Sequence, residues 1–280
     1  MIIDGKRIAD DILERCAALP TPAKFFAAVL VGNNAASVSF LKQKENTAKK
    51  IGVDFRLYRF PEEIKNDALR REVRKIVAHK TCGGAIVQLP LPNHLNQHYV
   101  LNAIPPEKDV DVLGERALGA FYTERGRMLP PPVGVVESIC EVQKYDLGMH
   151  CVVIVGLGLL IGRPIANWVM RRAKETILLR SASDYSLLKH ADLLIAGVGK
   201  AGLIKPDMLE TGAAVIDFGY SRHQMPGVGH QDEGGKLSGD FDSKELTSND
   251  LRIAFYTPTP GGTGPILVAK LFENFYRLNV

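Results

Sequence analysis

Val152-Val153-Ile154-Val155 runs without a break into Gly156-Leu157-Gly158-Leu159-Leu160-Ile161-Gly162, and a helical pattern follows from about Pro164. An apolar run bounded by glycine fits a strand buried on both faces, as in a parallel sheet covered by helices. In such a turn Gly156 permits the sharp bend, and Gly158 lets the backbone approach a ligand. The following helix supplies free N–H groups and the positive end of its dipole. The spacing is one residue longer than the common dinucleotide fingerprint. Strand before and helix after favour a nucleotide over a purely structural turn.

The next predicted strand, Thr176–Leu179, ends at Arg180-Ser181. An acid there would accept the ribose hydroxyls of NAD, whereas a cation and a hydroxyl suit a 2′-phosphate. NADP is therefore the favoured cofactor and NAD the alternative. The competing reading is that Arg180 is a solvated surface arginine.

The rest of the chain repeats this grammar. Strands are expected at Phe25–Val31, Val53–Phe60 and Gly84–Val87, with helices at Ala36–Lys50 and Lys65–His79. After 130, strands are expected at Cys151–Val155, Leu193–Ala196, Ala213–Phe218 and Ile253–Tyr256, with helices at Val135–Tyr145 and Ile266–Leu278. Residues 225–236, rich in glycine and polar groups, read as a loop. Three prolines at 130–132 predict a stiff connection between domains. The expected fold is α/β, two domains around a crevice, the second a Rossmann-like parallel sheet. The first domain takes 1–130 plus 263–280, with the C-terminal helix returning to it, and the second takes 131–262.

Composition narrows the class. The chain has 280 residues, 46% hydrophobic and 24% charged, with a net charge of +4, which excludes disordered and fibrous proteins. The longest apolar run, Cys151–Ile161, is too short to span a bilayer. An acid at Asp4 argues against a secretory signal peptide. Four scattered cysteines read as buried thiols of a reduced, cytoplasmic protein, with no metal site. Residues 1–130 carry 20 Lys and Arg against 15 Asp and Glu, and residues 131–280 carry 15 against 16. No dense basic stripe predicts nucleic-acid binding, and no segment predicts a membrane partner. The excess fits either a small anionic ligand or a solvated face.

Polar residues at predicted element ends supply a second candidate site. Phe40 and Lys44, four apart on one helix, share a face. They could stack and polarise a heteroaromatic substrate, or be a core ring beside a snorkelling lysine. Gln88 closes an apolar strand at the end where open α/β sheets bind ligands. Asp109-Val110-Asp111 lies in a loop expected to reach the same mouth.

Phe40-x-x-x-Lys44, Gln88-Leu89-Pro90-Leu91-Pro92, Lys108-Asp109-Val110-Asp111, Gly162-Arg163-Pro164 and Pro260-Gly261-Gly262-Thr263-Gly264-Pro265 resemble methylenetetrahydrofolate dehydrogenase/cyclohydrolase. Ile3-Asp4-Gly5-Lys6 and Asp217-Phe218-Gly219 also fit, and the resemblance is collinear over the whole chain. It implies oxidation of 5,10-methylenetetrahydrofolate to the methenyl cation with NADP, then hydrolysis to 10-formyltetrahydrofolate, within one-carbon metabolism and purine biosynthesis. It further implies Lys44 as the catalytic lysine of hydrolysis, Gln88 as its orienting partner and Asp111 as the acceptor for the pterin edge. Phe40, Pro260, Gly261 and Gly262 would bind substrate. Gly156, Gly158, Gly162, Arg163, Pro164, Arg180 and Ser181 would bind the cofactor. Pro260–Pro265 would be a turn joining the domains. The partners implied are tetrahydrofolate derivatives, with a polyglutamate tail as a candidate for the basic half, and a second copy in a homodimer.

The chain departs from the family pattern in places. Phe40 stands where the family usually has tyrosine, Val112 where it has a small residue, Leu129–Pro132 where it has Pro-Cys-Thr-Pro, and Gly158 where it has serine. Thr263 and Leu267 replace valine and threonine. A dehydrogenase without hydrolysis, or a catalytically idle folate- or nucleotide-binding paralogue, are the competing readings.

Overall fold

The computed structural model describes residues 1–222, 237–244, 246 and 252–280, so the expected loop at 225–236 lies outside the described residues. The chain divides into two compact units. The N-terminal unit is Ala9–Pro131 with Val268–Val280, and the central unit is Met1–Ile8 with Pro132–Leu267.

The elements in the first part of the chain are α1 (Gly5–Ala17), β1 (Phe25–Val31), α2 (Ala35–Lys50), β2 (Phe55–Phe60) and α3 (Asn66–Ala78). They continue with β3 (Cys82–Val87), α4 (Gln97–Leu101) and α5 (Glu115–Tyr122). The N-terminal unit is built on a parallel sheet of order β2-β1-β3. All seven residues of central β1 are buried, as its unbroken apolar run requires. Successive side chains point to opposite faces. Phe25, Ala27, Val29 and Val31 pack against Leu69, Val73 and Val77 of α3 and Val100 and Leu101 of α4. On the other face Phe26 stacks on Phe275, with ring centroids 4.9 Å apart, and meets Phe272 edge-on at 5.5 Å.

The elements that follow are α6 (Pro131–Gln143), β4 (Cys151–Val155), α7 (Gly162–Val169), β5 (Glu175–Leu179), β6 (Leu193–Ala196) and β7 (Ala213–Asp217). The short β8 (Ser221–Arg222) and β9 (Leu237–Ser238), then β10 (Ile253–Tyr256) and α8 (Thr263–Asn279), complete the order. The central unit carries a five-stranded parallel sheet of order β10-β7-β6-β4-β5. Taken from the β5 edge, this is the doubly wound order 2-1-3-4-5, whose connections reverse direction between β4 and β6. In open α/β sheets ligands bind at such a reversal, outside the carboxyl ends of the two strands. Ile3 N donates to Tyr256 O at 2.9 Å and Tyr256 N to Met1 O at 3.0 Å. This pairing attaches the first residues to the central unit, an attachment outside the expected boundary at 130.

Two expectations need correction. The prolines at 131 and 132 do not exclude a helix, because α6 starts at Pro131. A first helical turn needs no backbone N–H donor, and proline's fixed φ suits it. By the same physics Thr263, Gly264 and Pro265 form the first turn of α8 and are not part of an open connection. Helices α1, α4 and α5 have no counterpart among the elements expected from the sequence pattern. Among the described residues no helix is long and apolar enough to cross a membrane. Cys16, Cys82, Cys140 and Cys151 are buried thiols, and burial pushes Cys16 up to about 11 and Cys140 to about 12.

Candidate active site

In the N-terminal unit the sheet reverses its winding between β1 and β3, and the polar cluster forms at the carboxyl end of that pair. Gln88 follows β3 directly, its backbone N–H donating to Val29 O at 2.9 Å. Its side-chain amide donates to Leu89 O at 2.7 Å, which turns Oε1 outward to accept from Lys44 Nζ at 2.9 Å. Lys44 rises from α2, whose N-cap Asn34 accepts from Ser37 N at 3.1 Å. Burial lowers the Lys44 pKa below its ordinary value, and the charge of Asp111 opposes that shift. Burial raises the Asp111 carboxyl, and Lys44 pulls it back down. Phe40, Lys44 and Asp111 are each half-buried, enclosed by protein yet reachable by solvent.

The loop that presents Asp111 is fixed from beneath by Asp109, which the sequence places in the same loop, and by Asn274, which sequence reasoning does not assign to the site. Asp109 is 2% exposed and bridges to Ala85 beside β3. Its Oδ2 accepts from Leu113 N at 3.0 Å and Gly114 N at 2.7 Å. Burial pushes its carboxyl up to about 6. Val112 adopts a positive φ of 57°, a conformation that suits glycine. Asn274 of α8, 3% exposed, donates to Val110 O at 3.0 Å and to Leu129 O at 2.9 Å. Lys270 and Arg277 flank it at helical spacing, so nothing in the local sequence marks Asn274 as buried.

In the central unit the glycine turn leaves β4 at the reversal point. Gly156 has φ 91°, and a Cβ there would lie 2.6 Å from Gly197 O. A Cβ at Gly162 would lie 1.8 Å from Gly156 O, so both glycines are sterically required. Gly158 is different: a Cβ there would meet no protein atom within 4 Å. Helix α7 begins at Gly162, two residues before the expected start. The Arg163 guanidinium donates to Leu157 O at 3.0 Å, and buried Pro164 occupies the first turn. Arg180 and Ser181, both exposed, follow β5, while Gly156 N donates to Leu179 O at 3.1 Å. Ser183 Oγ accepts from Arg180 N at 2.8 Å and holds this turn.

Pro260 and Gly261 are exposed and Gly262 is buried in the same unit. Gly261 has φ 97°, and a Cβ at Gly5 would lie 1.8 Å from Gly262 O. The Ile3–Lys6 and Pro260–Pro265 segments are thus packing partners. Phe40, Lys44, Gln88 and Asp111 belong to the N-terminal unit, and the remaining predicted site residues to the central one.

A glycine turn at the reversal point of one sheet and a lysine–glutamine–aspartate cluster at that of the other define a two-unit α/β protein with a candidate site in each unit. Residues 3–111 match the tetrahydrofolate dehydrogenase/cyclohydrolase catalytic domain, and residues 130–279 match the corresponding NAD(P)-binding domain. The chain belongs to the tetrahydrofolate dehydrogenase/cyclohydrolase family. It is 32% identical over 287 residues to the bifunctional protein FolD of Flavobacterium johnsoniae, covering 98% of this chain and 95% of that one. The fold superimposes on the Campylobacter jejuni bifunctional FolD with a TM-score of 0.89 at 28% identity, covering 100% and 98% of the two chains. The Trypanosoma brucei enzyme, solved with NADP cofactor and inhibitor, gives a TM-score of 0.90 at 26% identity, covering 99% and 96%.

Proposed function

We propose that this chain oxidises 5,10-methylenetetrahydrofolate with NADP and hydrolyses the resulting methenyl cation to 10-formyltetrahydrofolate. The observation that carries the reading is Lys44 Nζ held 2.9 Å from Gln88 Oε1 in the enclosed setting it shares with Asp111. Phe40 stacks the pterin or its neighbouring ring, and the Asp111 carboxylate accepts from the pterin's paired N–H donors. Pro260, Gly261 and Gly262 offer backbone to the substrate.

The glycine turn fits a dinucleotide. Gly156 and Gly162 bring the strand and helix together, and the room beside Gly158 accommodates a pyrophosphate at the start of α7. Arg163 and Pro164 shape that start, and Arg180 with Ser181 faces the 2′-phosphate. NADP, when bound, supplies the hydride acceptor. The protein contributes mainly positioning to that step.

In hydrolysis, water adds to the methenyl carbon, the bond from that carbon to N5 breaks, and N5 takes up one of the water's two protons as the formyl C=O forms. One proton is released overall. Lys44 in its amine form takes the proton from the attacking water, and its lowered pKa makes that form available closer to neutrality. Gln88 orients the amine.

The decisive assay follows methenyl formation and decay spectroscopically with purified protein and NADP. Formation with enzyme-accelerated decay is expected. Formation alone would leave only a dehydrogenase, and neither would leave an idle paralogue.

The reading extends to a cytoplasmic homodimer. Edge strand β5 carries Leu178, 42% exposed, and offers unpaired backbone to a second copy. Sedimentation of Leu178→Lys as a monomer would support this arrangement. A polyglutamate tail has a candidate seat in a groove of about 460 Å³ where Arg70, Arg71 and Arg74 line the wall with Tyr99, beside Asp67 and a Lys75 that is paired to Glu72. Lys49 and Lys50 are engaged by Glu45 and Asp10 instead. Equal affinity for mono- and polyglutamylated substrate would remove that role.

A further inference from the structure

The loop that follows β6 faces the glycine turn across the reversal point of the central sheet. A Cβ on Gly156 would meet Gly197 O at 2.6 Å and Val198 Cγ2 at 3.0 Å, and a Cβ on Gly197 would meet Ile161 Cγ2 at 2.6 Å. The two segments are therefore in direct van der Waals register, and any shift of one displaces the other. Yet Val198, Gly199 and Lys200 are exposed, and a surface loop of this kind has no core packing of its own to fix it.

Ser221 Oγ donates to Gly199 O at 2.8 Å, and the loop's successive backbone N–H groups are gathered by one buried carboxylate. Asp240 is 0% exposed. Its Oδ2 accepts from Val198 N at 2.6 Å and Gly199 N at 3.2 Å, and its Oδ1 accepts from Lys200 N at 2.6 Å. Three successive backbone N–H groups converging on one carboxylate set both distance and orientation. Asp240 is placed in turn by its own backbone, since Ile204 N donates to Asp240 O at 2.9 Å.

A second buried acid fixes the segment that carries Asp240. Asp217, 1% exposed at the end of β7, accepts from Gly219 N at 2.7 Å and from Phe241 N at 2.9 Å. Gly219 and Gly239 are glycines for this reason. A Cβ on Gly219 would lie 2.3 Å from Asp240 N, and one on Gly239 would lie 2.0 Å from Asp217 Oδ2. The α8 residue Thr263 closes the set by donating to Asp217 O at 2.9 Å.

The geometry points to Asp240 as a positioning residue for the nucleotide step: seated by Asp217, it holds loop 197–200 in register with the glycine turn and thereby sets the affinity for NADP. The inference rests on the proposed NADP site and adds to it a residue that touches neither cofactor nor substrate.

The test compares wild type with Asp240→Asn, in which an amide replaces one acceptor oxygen and its N–H faces a backbone donor. NADP dissociation constant and KM should rise about tenfold or more, the scale of leaving one buried donor unpaired. The hydrolysis rate on methenyltetrahydrofolate, which uses Lys44, should stay within about twofold, which also shows that the variant is folded. Unchanged NADP affinity in a variant that hydrolyses normally would overturn the role. If wild type itself fails to bind NADP, the functional reading fails instead. Should the variant not fold, amide exchange in the wild-type protein decides. The Val198, Gly199 and Lys200 amides should exchange at least about a hundredfold slower than unprotected amides. Exchange at the unprotected rate would overturn the clamp.

Discussion

Lys44 Nζ and Gln88 Oε1 lie 2.9 Å apart although 44 positions separate them in sequence. The contact exists because β1 is central, so α2 and the end of β3 converge on one edge of the sheet. Gln88 has little choice of orientation: its amide nitrogen is committed to Leu89 O at 2.7 Å. The oxygen must therefore face Lys44, which makes the pair a fixed acceptor and a fixed amine.

Replacing that amine separates the two activities. Lys44→Met should reduce hydrolysis of the methenyl substrate by at least about a hundredfold, the usual range for a removed acid–base group. Methenyl formation should continue. In wild type the hydrolysis rate should rise with pH to a plateau reached below the ordinary lysine value of 10.5, because burial lowers the Lys44 pKa. A stopped-flow pH profile on both proteins checks this, and full hydrolysis in Lys44→Met would remove the assignment.

The reach of sequence reasoning here follows from the range of each interaction. The strand at Phe25–Val31 is legible because burial on both faces writes itself as an unbroken apolar run. Val152–Gly162 is legible because strand, turn and helix are contiguous. The α6 start is not, because proline is a breaker only beyond the first turn, and pattern alone does not say where a turn begins. Lys44 and Gln88 can be paired only through resemblance, since their meeting depends on strand order. Asp240, Asp217 and Asn274 carry no local signal of what they hold. Asp240 reaches backbone groups tens of residues away, as Asp217 does at Phe241, and Asn274 reaches some more than a hundred away, while a buried acid or amide looks in sequence like a solvated one.

Two of the buried acids, Asp109 and Asp217, give an unusual pH dependence. Burial raises Asp217 from 3.8 to about 7 and Asp109 from 3.8 to about 6. The folded chain then binds more protons than the unfolded one between 3.8 and each raised value, so stability falls as pH rises through those windows. For Asp217 the full window corresponds to about 4 kcal/mol, at roughly 1.4 kcal/mol for each pH unit it spans. Unfolding free energy of wild type minus that of Asp217→Asn should decline between about pH 4 and pH 7. A flat difference across that range, from urea titrations at each pH, would contradict the burial argument.

Asn274 tests the loop support apart from the chemistry. Asn274→Leu leaves the buried carbonyl of Val110 and the part-buried carbonyl of Leu129 without their donor, at a cost of about 1–3 kcal/mol, most of it at Val110. Because Val110 adjoins Asp111, the KM for folate substrate should rise while the KM for NADP holds. Equal changes in both constants would mean that Asn274 supports the whole chain and not this loop.

Val112 offers the sharpest sign. A β-branched residue at φ 57° is strained by about 1–2 kcal/mol, while its 3% exposure means that the side chain also contributes burial. Val112→Ala loses most of the burial and keeps the left-handed penalty. Val112→Gly loses slightly more burial but relieves the strain. At an ordinary position glycine is the less stable of the two by about 1 kcal/mol, because its unfolded chain has more freedom to lose. Here the order should invert, with Val112→Gly more stable than Val112→Ala by about 0.5–1 kcal/mol in urea denaturation. If alanine proves the more stable, then Val112 does not hold a left-handed conformation in solution, and the loop that presents Asp111 takes another path.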